Sequence, residues 1–108
     1  MVKKTVEKAL AEYKSLVRRE IKDPIFFVYG SVATGNIRTD SDIDLIVVSS
    51  SFHTVNGMKR MEWLSRLRRG SARRVPMDII GFTPEEFKSI RKEKNMYWKD
   101  IIKTMRKV

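Results

Sequence analysis

"FFVYGSVATGNIRTDSDIDLIVVS", residues 26–49, holds one apolar run that ends in a Gly-Ser pair and a second that begins with an Asp-x-Asp pair. Aspartate disfavours strands, so its place at the head of a Val/Ile/Leu-rich run needs an explanation. Either Asp40, Asp42 and Asp44 decorate a surface turn, or they are gathered to hold a positively charged group. The choice depends on what the rest of the chain places beside them.

Both apolar runs are typical of buried strands. The first covers residues 25–29 after Pro24, and the second continues without a polar break after Asp44. The polar connection between them has only 11 residues, SVATGNIRTDS. Because a parallel pair needs a crossover of about a dozen residues or more, the two strands are predicted to be antiparallel.

Apolar residues at three- and four-residue spacing predict helices in the rest of the chain. One further strand, VPMDIIGF, is predicted between them, with Pro76 at its start. The next helix has strong start signals, since Thr83 can cap it, Pro84 suits its first position and Glu86 completes a capping box. The predicted helices cover residues 2–21, about 55–69, 84 onward, and a last stretch with Trp98, Ile101, Ile102 and Met105, which Asn95 separates from the third.

This order of elements predicts an α+β or α/β fold, a sheet packed by helices, in a single domain over residues 1–108. We see no apolar run of the roughly 18 residues that a membrane span needs, and no signal peptide, so we expect a cytoplasmic protein. The chain has no Cys and one His, His53. Metal chemistry would therefore have to use carboxylates.

The net charge is strongly positive, at +10 from 23 Lys and Arg against 13 Asp and Glu. Such a charge favours nucleotides, nucleic acid or an acidic protein as partners. The basic residues are spread along the chain, however, and solvated helix faces explain most of them. The basic stretch 66–74, RLRRGSARR, is interpreted as a helix end that could also bind an acidic partner or nucleic acid.

Three aspartates are candidate metal ligands. Side chains alternate along a strand, so Asp42 and Asp44 share one face while Ile43 lies on the other. Asp78 is a third carboxylate in an otherwise apolar strand that could lie beside the second. Carboxylates that converge raise one another's pKa unless cations neutralise them, and hard oxygen ligands suit Mg²⁺ that completes its shell with substrate phosphates.

Upstream of these acids, a Gly-Ser pair is a candidate phosphate site. Gly30 permits close approach of the backbone to a ligand, and Ser31 offers a hydroxyl and an N–H where the chain can turn into a short helix. Taken alone, a Gly-Ser pair is usually only a turn. Its spacing from Asp42-x-Asp44 and from the solitary strand residue Asp78 is the more informative observation.

With these motifs, YGSVATGNIRTDSDIDLIVV and VPMDIIGFTPEEF, the chain resembles the minimal nucleotidyltransferases of the DNA polymerase beta-like superfamily. The resemblance covers at least residues 24–88. It implies a small mixed sheet flanked by helices, two Mg²⁺ ions, and transfer of a nucleoside monophosphate, AMP from ATP, to a hydroxyl with release of pyrophosphate.

The resemblance also implies residue roles. Gly30 and Ser31 would hold the β- and γ-phosphates, Asp42 and Asp44 would bind both metals, and Asp78 would bind the catalytic metal and help deprotonate the acceptor. Many members have Arg where this chain has Thr34, so a positive donor near the phosphates is missing, unless Arg38 substitutes for it.

Such proteins are often paired with HEPN-domain proteins, with the nucleotidyltransferase acting as antitoxin to a HEPN ribonuclease toxin. The resemblance therefore implies a HEPN-domain partner that supplies the acceptor hydroxyl. Two alternatives stay open: a non-catalytic module that neutralises its partner by contact, and a basic nucleic-acid-binding protein. Homo-oligomerisation is also open.

Four other features are interpreted as structural. His53 is expected to be solvated or to cap a loop, and Asp40 and Ser41 are expected to cap the turn before the acidic pair. The aromatic residues Trp63, Tyr97 and Trp98 lie at helical spacing and are expected to belong to the core or to an interface.

Overall fold

The computed structural model describes residues 2–37, 42–92 and 96–108. The elements in chain order are α1 (Val2–Glu20), β1 (Ile25–Tyr29), α2 (Ser31–Thr34), β2 (Ile43–Val48), a 3₁₀ turn (Ser50–Phe52), α3 (Gly57–Arg66), α4 (Ser71–Arg74), β3 (Met77–Phe82), α5 (Pro84–Arg91), α6 (Met96–Thr104) and β4 (Arg106–Lys107). The predicted strands and long helices are confirmed. Asn95, the predicted separator of the last two helices, lies outside the described residues.

The four strands form one mixed sheet in the order β3-β2-β1-β4. Strands β1 and β2 are antiparallel, as their short connection predicts, and Tyr29 pairs with Asp44 at one end of the ladder. Strands β2 and β3 are parallel, and their connection passes through α3 and α4. The prediction of an α+β fold with a small mixed sheet flanked by helices is therefore confirmed.

Helices cover both faces of this sheet. On one face, α1, α3 and α4 pack against the side chains of Phe26, Val28, Leu45 and Val47 to form the larger core. On the other face, α5 and α6 cover a smaller cluster that includes Tyr29, Ile46 and Val48. The alternation of these strand residues between the two clusters follows the two-residue period of a strand.

Local sequence signals explain where the principal helices form. In α1, Val6, Ala9, Tyr13 and Val17 recur on one face and are all buried. The Tyr13 hydroxyl donates a hydrogen bond to the Leu64 carbonyl at 2.6 Å and so ties α1 to α3. Among the described residues, no helix combines the length and the apolar character that crossing a bilayer requires.

The start of α5 is the capping box that the sequence predicts. The Thr83 hydroxyl accepts a hydrogen bond from the Glu86 N–H at 3.2 Å, and the Glu86 carboxylate accepts one from the Thr83 N–H at 2.7 Å. Two backbone donors that helix geometry leaves unpaired are thereby satisfied. The reciprocal bonds set the direction in which α5 leaves β3.

Three features differ from the sequence-based expectation. The predicted second helix ends at Arg66, and Gly70, expected to stop it, instead precedes the separate helix α4 with φ 58°. Strand β4 was not predicted, because two residues carry no periodic signal. The expected apolar face of α3 is buried only at Leu64 and Leu67 at its C-terminal end, whereas Met58 and Met61 stay exposed.

Candidate active site

Two of the three candidate carboxylates lie directly opposite each other on neighbouring strands. Asp44 on β2 pairs with Asp78 on β3 in the parallel register. Paired residues of adjacent strands point to the same face, so both side chains belong to the α5–α6 side of the sheet. Asp42 precedes β2 and is exposed, Asp44 is half-buried and Asp78 is exposed. The fold therefore brings Asp78 beside the acidic pair from more than 30 residues away in the chain.

These carboxylates repel one another. Burial raises the pKa of Asp44, and the nearby charges of Asp78 and Asp42 raise it further. A cation placed among them would remove both the repulsion and part of the desolvation cost. The electrostatics at this end of the sheet thus favour a positively charged ligand.

Gly30 directly follows β1 and lies next to the Asp44 carboxylate. Its backbone has φ 70° and ψ −147°, a conformation that is essentially restricted to glycine. A Cβ atom at this position would lie 2.6 Å from Oδ2 of Asp44. The absence of a side chain at Gly30 therefore makes room for the Asp44 carboxylate. The Gly30 N–H also donates to the Thr104 hydroxyl at 3.5 Å, so the end of α6 borders this site.

The short helix α2 begins at Ser31, which is half-buried. The Thr34 hydroxyl donates to the carbonyls of Gly30 and Ser31, each at 3.3 Å, and so supports this turn of helix. Thr34 contributes no positive charge toward the site. Arg38, the predicted substitute, lies outside the described residues, as do Asp40 and Ser41 with their predicted capping role.

Tyr29 is a site neighbour that the sequence interpretation missed. It is buried and pairs with Asp44 across the β1–β2 ladder. Burial raises the pKa of its hydroxyl, and the charges of Asp44 and Asp78 raise it further. Tyr29 therefore keeps its hydroxyl protonated. Its position directly before Gly30 was the available signal, but only the strand register places it opposite Asp44.

His53 and three aromatic residues were interpreted as structural, and the fold gives each of them a definite environment. His53 is exposed, as expected, and its Nε2 lies 2.7 Å from Oε2 of Glu85. Trp63 and Trp98 are partly buried and pack edge-on against Phe52 and Phe82, which confirms their expected core role. Tyr97, in contrast, is 61% exposed and contacts the Trp98 ring.

The donor chemistry at this site fits a hard cation only in part. Within residues 2–37, 42–92 and 96–108, no group of three or more His, Cys, Asp or Glu side chains is arranged to hold a metal ion. The carboxylates nevertheless offer hard oxygen atoms, and Mg²⁺ commonly takes one or two carboxylates and completes its shell with water and phosphate oxygens. The residues present thus fit a metal that binds together with a nucleotide.

A comparison of the sequence with models of protein families gives a match. The model of the nucleotidyltransferase domain family matches residues 6–105. The chain belongs to the nucleotidyltransferase domain family. This assignment confirms the family-level part of the resemblance seen in the sequence. A search of curated protein sequences found no match.

Solved structures of nucleotidyltransferases share the fold. A protein described as a nucleotidyltransferase from Sulfolobus solfataricus is 25% identical, with a TM-score of 0.53 over 82% of this chain and 72% of that one. A toxin–antitoxin structure with AMP-PNP is 19% identical, with a TM-score of 0.60 over 90% of this chain and 69% of that one. Another protein described as a nucleotidyltransferase is 22% identical, with a TM-score of 0.57 over 92% and 96% of the two chains.

Proposed function

We propose that this nucleotidyltransferase domain transfers AMP from ATP to a hydroxyl group of a partner protein, and that it serves as the antitoxin of a HEPN-domain toxin. The observation that carries the transfer reaction is the placement of Gly30, Asp44 and Asp78 at one end of the sheet. The family membership and the similar fold of a toxin–antitoxin protein with AMP-PNP support the proposal.

In this proposal, Gly30 and Ser31 hold the β- and γ-phosphates. The bare Gly30 backbone lets phosphate oxygens approach closely, and the N–H groups at the start of α2 point toward the negative charge. Tyr29, which pairs with Asp44 across the β1–β2 ladder, keeps its hydroxyl protonated beside this site.

Asp42 and Asp44 would hold two Mg²⁺ ions and Asp78 would share the catalytic one. When bound, the paired ions would neutralise the phosphates and stabilise the attacking and leaving oxygen atoms of an in-line displacement. Asp78, on the exposed edge strand, accepts the proton of the acceptor hydroxyl. A bond then forms between that oxygen and the α-phosphorus, the bond to the bridging oxygen breaks, and pyrophosphate leaves.

A contact-only antitoxin is the second candidate. The specific observation in its favour is Thr34, whose uncharged hydroxyl donates to the carbonyls of the α2 turn at the position where the resemblance implies an Arg. Such a module would bind the same toxin without using ATP. The two functions therefore differ in whether an AMP-modified partner protein is formed.

The decisive experiment incubates the purified pair with Mg-ATP and weighs the partner by intact mass spectrometry. We expect the partner to gain the mass of AMP while pyrophosphate is released. Asp78→Asn should lose transfer but retain most of its Mg-ATP affinity, because the proton acceptor acts only once the nucleotide is bound. Asp42→Asn should lose both. Calorimetry with and without Mg²⁺ measures the binding.

Asp23→Asn is a matched control. Asp23 is exposed and precedes β1 at the end of that strand opposite Gly30, and asparagine tolerates its φ of 44°. We expect its activity to equal that of the wild type. An unmodified partner in a stable complex would refute the transferase proposal and leave the contact-only antitoxin. ATP binding that is tight and insensitive to EDTA would refute the metal-dependent site.

A further inference from the structure

An open groove of about 1000 Å³ lies on the α3–α4 side of the molecule, and none of the three candidate aspartates lines it. We call it the Arg-Met groove. It is lined by Met58, Met61, Glu62, Ser65, Arg66, Arg68 and Arg73.

The groove has an unusual apolar component. Met58 is 74% exposed and Met61 is 57% exposed, and the two lie three residues apart on the outer side of α3. Residues at this spacing are neighbours on a helix surface. Methionine is unbranched and flexible, so it adapts to varied apolar partners. These side chains form a surface that a partner's apolar residues can cover.

The rim of the groove is positively charged, with three arginines against one glutamate in its lining. The Arg68 side chain donates to the carbonyls of Ala72 at 3.3 Å and Val75 at 2.8 Å, so it holds the α3–α4 connection. Arg66 and Arg73 are exposed and remain available to an external anion. The charge of the groove therefore complements an acidic partner.

The combination of methionine and arginine favours a protein over a nucleic acid. Both residue types are enriched at protein–protein interfaces. Proteins that bind single-stranded nucleic acids usually add aromatic side chains on which the bases stack. Among the described residues that line this groove, none is aromatic.

The Arg-Met groove leads toward the candidate active site. A smaller cavity of about 130 Å³ shares Met61, Ser65 and Arg68 with it and is completed by Met77, Asp78 and Ile79. Strand β3 forms the edge of the four-stranded sheet. Met77 and Ile79 face α3, whereas Asp78 alternates to the opposite face. A chain that lies in the groove can therefore reach the Asp78 carboxylate by crossing one edge strand.

We propose that the Arg-Met groove is the docking surface for an acidic, amphipathic segment of a partner protein. The apolar residues of this segment cover Met58 and Met61, and its carboxylates pair with Arg66 and Arg73. A hydroxyl-bearing residue at one end of the segment crosses the edge of β3 to Asp78. This last step rests on the proposed transferase function, whereas docking itself needs no nucleotide.

The test uses a labelled synthetic amphipathic peptide of Glu, Leu and Ala with one terminal Tyr, and fluorescence anisotropy without nucleotide. Arg66→Glu/Arg73→Glu should weaken its binding roughly tenfold or more, because paired charges become like charges. Met58→Ser/Met61→Ser should also weaken it. The matched control is Lys4→Glu/Lys8→Glu, which makes the same charge change at exposed positions of α1 outside the groove. This control should bind nearly as the wild type does.

Three results would overturn the docking proposal: no binding of the acidic peptide, an equal loss of affinity in the α1 control, or tighter binding of a single-stranded oligothymidylate that the same arginine changes abolish. Circular dichroism checks that each variant is folded. Adding Mg-ATP then separates the two proposals. A peptide that binds through the groove but gains no AMP, as shown by its mass, counts against the transferase function alone.

Discussion

Replacing Gly30 with alanine tests the link between backbone conformation and the candidate active site. The change has two separate effects. Any residue with a Cβ is strained at φ 70° and ψ −147°, at a cost of about 1–3 kcal/mol. The added Cβ would also lie 2.6 Å from Oδ2 of Asp44, which is closer than such atoms approach.

The close contact between the added Cβ and Asp44 mainly affects the candidate active site. The Asp44 carboxylate is the end of a side chain that can rotate, so it should move aside at a cost of about 1 kcal/mol for an unfavourable rotamer. Each kcal/mol lowers the Tm of a domain of this size by about 4–8 °C. The two costs together are about 2–4 kcal/mol, so we expect a Tm that is about 10–30 °C lower. Displacement of a positioning group by about 1 Å can cost ~100-fold in activity, so transfer should fall by about that factor.

Gly35→Ala is the matched control for backbone strain. Gly35 has φ 83° and ψ 3°, and nothing lies within 4 Å of a Cβ added there. We expect it to lose about 1–2 kcal/mol of stability from the left-handed conformation and to keep its activity. Thermal unfolding measures stability, and pyrophosphate release with the partner measures activity.

A double-mutant cycle isolates the contact with Asp44. In the Asp44→Ala background, the Gly30→Ala change should keep its backbone cost but lose the part that is due to the clash. Additive free energies of unfolding would show that the two residues do not interact. Equal losses of activity in Gly30→Ala and Gly35→Ala would refute the proposed role of Gly30.

Three further predictions concern stability. The folded-state pKa of Asp44 is raised above its unfolded value of 3.8. The stability that the protonated Asp44 side chain contributes to the folded state is therefore complete below pH 3.8, and it is lost as pH rises through the folded-state pKa. Asp44→Asn should thus have a higher Tm than the wild type at neutral pH, with a difference that vanishes in acid; a lower Tm would contradict the repulsion. Arg60→Met should lower the free energy of unfolding in urea by about 3 kcal/mol. The reason is that the buried guanidinium donates to the carbonyls of Phe52 and Gly81 and pairs with Glu86 at 2.6 Å. An unfolding free energy equal to that of the wild type would mean that water replaces these bonds. Thr83→Ala should cost about 1 kcal/mol through its helix cap, whereas Thr83→Ser should cost little, and equal losses would show that the hydroxyl is not responsible.

Several features could be predicted from the sequence because they depend on neighbouring residues. The start of α5 follows from Thr83, Pro84 and Glu86, which form a cap without help from the rest of the fold. The common face expected for Asp42 and Asp44 rests on strand alternation and stays a prediction, since β2 begins at Ile43. The antiparallel β1–β2 pair follows from the length of one connection. In each case the determining distance along the chain is short.

The features that the sequence did not predict depend on contacts between segments that are distant in the chain. The strand register decides that Asp78 pairs with Asp44 and that Tyr29 lies opposite the same residue, and it arises from hydrogen bonds between strands that no local pattern encodes. The exposure of Met58 and Met61 likewise depends on where α3 settles against the sheet. A helical apolar pattern predicts that one face of the helix is buried, but not against which element, because the hydrophobic effect is non-directional. The sequence alone therefore determined the principal strands and helices and the residue types of the site, while tertiary packing decided which side chains meet and which surface stays open.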